Sequence, residues 1–450
     1  MAPEVKSVPQ NRTESVLSKR GKHLADYQDF LVANLNKASA NPFSEENPGG
    51  IVNLGTAVNR LLESDLATRL AQDDCFKFSP LNQHYYDFRG IKCLKISLSN
   101  FFARHFQPYK RVIAEKMIIF NGVSSCLDAI SHVLCDPGDI IITPTPVYAR
   151  IFTDVHDAAR AIVEPLPLSE EEDENGQTFA LKPEELERKI VSLRATGKNV
   201  RCFILVTPNN PLGDIYSAEL MMELLNVCAK YEVHFVSDEI YGLSVFEGTK
   251  FTSLLSLDIP DPSRTHLLWG FSKDFGLAGL RIGVIYSFSE DVFQALSNMS
   301  LYKCTPQIVQ EAAAALIEDI EWCDKFYLPL NSTRLANAYE YAASRLQSMG
   351  VQVRPAKAGL FIWGNARSLL HSPTEEDEMK LHEEALDAGV YIVPGMKLYC
   401  TTPGWFRLIT SVTRKELQVG LDRLQEVLEA RAKRCPEKLP DNVPNGGGDN

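Results

Sequence analysis

Phe271-Ser272-Lys273-Asp274-Phe275-Gly276-Leu277-Ala278-Gly279-Leu280-Arg281-Ile282-Gly283 closes one apolar run, His266–Phe271, and opens another, Arg281–Ser287. A lysine directly after a buried strand is unusual. A single lysine near apolar surface ordinarily snorkels its ammonium back to water. Here it stands in a glycine-rich loop between two strands, with an arginine eight residues on. In that setting a lowered pKa and imine chemistry become available to it.

Five more runs of the same texture precede this pair: Met117–Asn121, Asp139–Thr143, Ala161–Leu166, Arg201–Thr207 and Val233–Asp238. They are short, β-branched or aromatic, and mostly without alternation, as strands buried on both faces are. Helical patterns separate them, so the reading is an α/β fold with a largely parallel seven-stranded sheet. After about residue 305 the texture changes to a long helical stretch, Thr305 to Met349, and then an α+β region to about 434. The last helix opens on Thr413-Arg414-Lys415-Glu416, a capping box, with Leu417, Leu421, Leu424 and Leu428 along one face. A second, smaller domain is expected there, and 450 residues exceed what one core usually organises.

Composition bounds the function. Hydrophobic residues are 45% and charged residues 23%, an ordinary globular mixture. A net charge of −12 argues against nucleic acid or an anionic membrane surface as partner. Ten cysteines are scattered with no C-x-x-C pair, so neither a zinc framework nor any other metal site is expected. No secretory h-region and no membrane-length apolar run is visible, and the expected location is the cytoplasm. Asn11-Arg12-Thr13 fits a glycosylation sequon, read as chance without such a signal. Residues 1–22 are polar and expected to be mobile; 435–450, rich in Pro, Gly and Asn, are expected to be a disordered tail. Ser169–Asn175 reads as an acidic solvated loop.

In open α/β sheets ligands bind beyond the C-terminal ends of the strands. Polar segments gather there. Asn121-Gly122-Val123-Ser124-Ser125 opens a helix whose free amides suit a phosphate, although an ordinary capped turn reads the same way. Thr207-Pro208-Asn209-Asn210-Pro211-Leu212-Gly213 is by itself only a loop. Ser237-Asp238-Glu239-Ile240-Tyr241 leaves an aspartate at the end of a buried strand, either a helix cap or half of a pair with a cation.

Together these segments resemble the class I/II aminotransferases that depend on pyridoxal phosphate (PLP). The likeness is strongest to the 1-aminocyclopropane-1-carboxylate (ACC) synthase-like proteins. It spans about residues 23–432 and rests on six motifs in order, including Cys400-Thr401-Thr402-Pro403-Gly404-Trp405-Phe406-Arg407. The resemblance implies PLP transferase fold type I. Residues 23–60 would begin the small domain, 61–304 form the large PLP-binding domain, and 305–434 complete the small one.

The resemblance also implies roles. Lys273 would carry PLP as a Schiff base and then remove the substrate's Cα proton. Asp238 would pair with the pyridine nitrogen, and Asn210 and Tyr241 would bond the phenolic oxygen. Tyr148 would stack on the ring. Val123, Ser124, Ser125, Ser272 and Arg281 would hold the cofactor at its phosphate end. Tyr85 would reach the phosphate of the neighbouring subunit in a homodimer. Arg407 would grip the α-carboxylate of an amino-acid substrate.

Three positions depart from the family pattern. Gly270 replaces a phosphate-contacting serine, a loss of about 1.5–3 kcal/mol if nothing substitutes. Thr207 replaces the first asparagine of Asn-Pro-x-Asn-Pro. Val58, in Gly55-Thr56-Ala57-Val58-Asn59, stands where ACC synthases carry a glutamate beside the substrate. The expected activity is therefore transamination or elimination on an α-amino acid. ACC formation from S-adenosylmethionine, or cofactor binding with little catalysis, are the alternatives.

Overall fold

The computed structural model describes residues 16–172 and 178–434. All seven expected runs form strands: β1 Met117–Phe120, β2 Ile140–Thr145, β3 Ile162–Pro167, β4 Val200–Val206, β5 His234–Asp238, β6 Thr265–Gly270 and β7 Gly283–Ser287. They make one sheet in the order β1-β7-β6-β5-β4-β2-β3. Only β7 runs against its neighbours β1 and β6; the other pairings are parallel. Strands β1, β2, β5, β6 and β7 are buried along their whole length. Of the two edge strands, β1 is buried and β3 is mostly half-exposed. Apolar clusters cover both faces of the sheet, one around Phe101, Phe102 and Trp269, the other around Ile118, Ile130 and Ile141.

The direction of β7 matters for the site. An antiparallel strand starts at the edge where its parallel neighbours end. Arg281, just before β7, therefore emerges beside Lys273, just after β6.

Beyond the central sheet, strands Gln352–Arg354, Phe361–Asn365, Val393–Pro394 and Trp405–Ile409 form an antiparallel sheet. In it Arg407 pairs with Trp363 on one side and Val393 on the other. The final helix spans Arg414–Arg434, and its capping box is present: Glu416 N donates to Thr413 Oγ1 at 3.3 Å and Thr413 N to Glu416 Oε2 at 3.1 Å. Its four leucines are buried. Val52–Asn53 pairs with Val390–Tyr391, and Ile409 N donates to Leu54 O at 2.8 Å, so the chain's early segment folds onto its late one.

Within the expected polar start a helix begins at Lys19, where Ser18 Oγ accepts from Gly21 N at 3.1 Å. The stretch from Thr305 to Met349 is helical, as expected, in successive pieces. Asp319 ends Gln307–Glu318 and caps a short turn through its side chain, and a π-helical segment precedes Leu328–Ser348. The sequon, most of the expected mobile start, part of the acidic loop and the C-terminal tail lie outside the described residues.

No helix among the described residues is long and apolar enough to cross a membrane, and no cluster there could hold a metal ion. The nine described cysteines are unpaired.

Candidate active site

Five strand ends and the start of β7 converge on a cavity of about 320 Å³. Val123 and Ser124 come from beyond β1, Tyr148 from beyond β2, Asn210 from beyond β4, Asp238 and Tyr241 from β5, Ser272 and Lys273 from beyond β6, and Arg281 from before β7. Arg407 enters from the smaller sheet, and Gly55, Thr56 and Ala57 from the N-terminal segment.

Lys273 Nζ donates to the carbonyl of Ala57 at 2.6 Å. Burial lowers its amine to about 8; the guanidinium groups of Arg407 and Arg281 push the same way and Asp238 opposes them. Asp238 is 4% exposed, and its Oδ1 accepts from Ile240 N at 3.2 Å. No described side chain donates to it. Burial pushes its carboxyl up to about 7, against the Ile240 amide and Lys273. A buried carboxylate so poorly matched calls for a cation beside it.

Asn210 Nδ2 donates to Tyr241 Oη at 3.2 Å, and Arg407 Nη1 donates to Asn210 Oδ1 at 2.9 Å. Arg407 Nη2 donates to Gly55 O at 2.6 Å. Its Nε is buried with no acceptor. Three of the five guanidinium N–H groups thus remain free for a ligand. Burial raises the Tyr241 and Tyr148 phenols, keeping both as neutral hydrogen-bonding groups.

The phosphate-suited turn is built by Gly122, at φ 102°. The amides of Ser125 and Cys126 fold back onto the Gly122 carbonyl, leaving those of Val123 and Ser124 at the head of the helix Val123–Leu134. A Cβ at Gly122 would lie 2.3 Å from Arg281 Nη2, so only glycine lets the guanidinium lie over this turn. Arg281 itself is held at φ 54°, its carbonyl accepting from Thr305 Oγ1 at 3.0 Å.

Sequence reasoning missed four participants. Arg150 and Tyr391 line the cavity, Ala57 supplies the acceptor for Lys273, and Phe30–Ala40 contributes Leu31, Val32 and Leu35. Arg150 lay within reach, two residues after Tyr148; nothing in the sequence marked the others.

Two expected residues, Ser125 and Val58, are not brought to the cavity, and Tyr85, expected to serve a neighbouring subunit, stands outside its own. Ser125 does not line it, and its amide is used within the first helical turn. Val58 lines a separate depression with Leu62, Phe275 and Tyr327; the chain bends just before it, Val58 N donating to Thr56 O at 2.9 Å, and it is Ala57 that offers its carbonyl to Lys273. Tyr85 is 93% exposed, with its ring edge-on to Phe88 at 5.8 Å between ring centres. Gly270 is also explained. A Cβ there would meet the Ile282 carbonyl at 2.6 Å and Val123 Cγ2 at 3.1 Å, so the close β6–β7 approach leaves no room for a serine.

The chain matches the family described as aminotransferase class I and II over residues 49–424. It belongs to that family. It is 34% identical to the 1-aminocyclopropane-1-carboxylate synthase-like protein 1 of Mus musculus over 430 residues, covering 95% of this chain and 86% of the relative. It is 33% identical to the mouse protein called probable inactive 1-aminocyclopropane-1-carboxylate synthase-like protein 2, covering 93% and 73%. The 1-aminocyclopropane-1-carboxylate synthase 7 of Arabidopsis thaliana is 28% identical, over 87% and 90% of the two chains. Among solved structures, an archaeal alanine:glyoxylate aminotransferase superposes with a TM-score of 0.77 at 23% identity, covering 92% of this chain and 98% of that one. Aspartate aminotransferase from Thermus thermophilus with maleate gives 0.73 at 23%, covering 92% and 100%. The fold is that of these aminotransferases.

Pyridoxal phosphate is the cofactor of this family, and the residues present fit it. An amine lowered to about 8 is poised for a carbonyl. A buried carboxylate lacks a cation, an amide–phenol pair faces the cavity, and a helix head with an arginine above it suits a phosphate.

The lowered amine sets a pH dependence. Lys273 is the reactive free amine above about 8 and is protonated below it. Capture of added PLP by the cofactor-free protein should speed up about tenfold per pH unit below that value and level off above it. Stopped-flow absorbance from pH 6 to 10 measures this. A rate still climbing steeply at pH 10 would mean an unshifted lysine.

Proposed function

We infer that this chain is a PLP-dependent enzyme that deprotonates an α-amino acid at Cα and, most directly, transfers its amino group to a keto acid. The observation that carries this reading is the meeting of Lys273, Asp238, the Asn210–Tyr241 pair and Arg407 in one cavity. A protein that only stores the cofactor has no use for a buried, partly unpartnered arginine beside the lysine.

Bound PLP supplies an electron sink for the charge left on Cα. The protein does the rest. Arg407 offers its free N–H groups to the substrate carboxylate and fixes the amino acid's orientation. Lys273, once its amine is released by the incoming amino group, takes the Cα proton as a base matched to neutral pH. Asp238 would keep a proton on the pyridine nitrogen, which would give its buried charge a partner. Asn210 and Tyr241 would bond the phenolic oxygen, and Tyr148 would cover the ring. Val123, Ser124, Ser272 and Arg281 would hold the phosphate. The chain's early and late segments form the smaller domain around this large one, in the cytoplasm.

ACC formation is the weaker reading. It must favour a cationic sulfonium substrate, which a neighbouring carboxylate would do. Val58 carries no charge and lines another depression. Product analysis tests this: S-adenosylmethionine in one arm, amino-acid and keto-acid pairs in the other. The expected result is keto acid from the pairs, with ACC minor or absent and little changed by Val58→Glu. ACC as the dominant product of the wild type would reverse the assignment.

The second part of this reading is a homodimer with shared sites. Tyr85 has an aromatic ring almost wholly in solvent and no place in its own cavity, as a residue serving a neighbour would. Mixing Tyr85→Phe with Lys273→Ala protein should restore activity to about a quarter of the sites, those intact at both positions in mixed dimers. Full activity of Tyr85→Phe alone, or of a sedimenting monomer, contradicts it.

A further inference from the structure

One wall of the cavity has no part in holding the cofactor or the substrate carboxylate. It is made by α1, the helix Phe30–Ala40. Leu31 and Leu35, one turn apart, and Val32 line the cavity from it. All three are more exposed than the floor: Val32 is 44% exposed against 4% for Asp238. They line the same cavity as Lys273 and Arg407.

The start of α1 is tied down from two sides. Asp29 Oδ1 accepts from Val32 N at 2.8 Å as the helix cap, and its Oδ2 accepts from Arg150 Nη1 at 3.1 Å. Arg150 Nη2 donates in turn to Asp154 Oδ1 at 2.5 Å. Arg150 lines the cavity, yet two carboxylates already occupy it. Of the other cations there, Lys273 and Arg407 face the reacting amino acid and Arg281 lies over the Gly122 turn. Each of the four cations that the described residues of this chain place at the cavity is thus committed, and none is left for an acidic side chain. Tyr391 adds an aromatic surface whose ring lies against Gly55, where a Cβ would be 2.3 Å from Cε1.

We propose that α1 reads the substrate's side chain: Leu31, Val32 and Leu35 receive an apolar group, and the Asp29–Arg150–Asp154 clamp holds them in place while withholding Arg150 from acidic substrates. This rests on the amino-acid reading above. It adds the substrate class, amino acids with apolar side chains, and assigns three specificity residues and one clamp.

The test is equilibrium binding to the PLP-loaded protein, by calorimetry and by cofactor absorbance, along the series alanine, 2-aminobutyrate, norvaline and norleucine, with aspartate and glutamate alongside. Burial of each added methylene should tighten binding about fourfold. Aspartate and glutamate should bind at least about tenfold more weakly than norvaline. Leu31→Ala/Leu35→Ala should flatten the gradient to under about twofold per methylene. Leu35→Arg, at a half-exposed position that tolerates a long side chain, should raise aspartate relative to norvaline. An unchanged gradient in the double variant, or aspartate bound as tightly as norvaline by the wild type, overturns the proposal. The two readings fail differently. A gradient without keto-acid release leaves the α1 assignment standing and removes transamination. Keto acid formed equally from acidic and apolar substrates does the reverse. No binding of any amino acid removes both.

Discussion

Lys273→Ala loses covalent retention of PLP and nearly all turnover. It is the one lysine amine among the described residues lining the cavity, and its depressed proton affinity, to about 8, leaves far more free amine to act as nucleophile and base near neutral pH than an ordinary lysine has. Turnover should fall on the order of 10⁴-fold, the scale of a lost general base. The fold should survive, because Lys273 contributes one hydrogen bond, to Ala57 O, and no core packing comparable to Phe271 or Phe275. The checks are borohydride reduction followed by peptide mass, and turnover beside a thermal melt. A reduced adduct on the variant, or turnover within tenfold of wild type, would place the chemistry elsewhere.

Arg407→Lys keeps the cofactor and loses the substrate. Its guanidinium bonds Asn210 and Gly55 and still has N–H groups to offer, whereas an ammonium keeps the charge but not the planar fork. Misplacing the Cα–H bond by about an ångström is enough to cost kcat/KM about 10²-fold. Cofactor content, read from absorbance, should stay within twofold, because Asp238, the Gly122 turn and Lys273 are untouched. Asn210 makes the outcome informative. It bonds Arg407 through Oδ1 and Tyr241 through Nδ2, so an Arg407 that mattered only for architecture would disturb the cofactor as much as the substrate. Equal loss of both would assign Arg407 that structural role.

Much of this was legible in the sequence because burial on both faces leaves a plain mark. Strands β1 to β7 appeared as short β-branched runs within a residue or two of their ends. The Thr413–Glu416 cap was equally local, a matter of four residues and two reciprocal bonds. Lys273 stood out because it follows a buried strand in a glycine-rich segment with Arg281 eight residues on; Asp238 and Asn210, read alone as a cap or pair and a loop, took their roles from the family resemblance.

What stayed hidden depends on distance or on another chain. Leu31 and Leu35 look like any helix's apolar face, and only the tertiary fold turns them toward Lys273. Ala57 contributes a carbonyl, which no side-chain pattern records. Val58 and Ala57 are adjacent just after a bend, so a motif alignment could not say which one the fold turns to the lysine. The vacancy of a serine at Gly270 looked like a loss in the sequence; in the fold it is a steric requirement of the Ile282 carbonyl.

The central claim is that the cavity performs chemistry on an amino acid rather than merely holding its cofactor. The most direct measurement is a single turnover. PLP-loaded protein is mixed with excess norvaline and no keto-acid acceptor, and released 2-keto acid is counted against active sites. The account predicts a burst of one keto acid per site that then stops, and resumes when a second keto acid is added. No keto acid, with cofactor absorbance unmoved by any amino acid of the series, would contradict it.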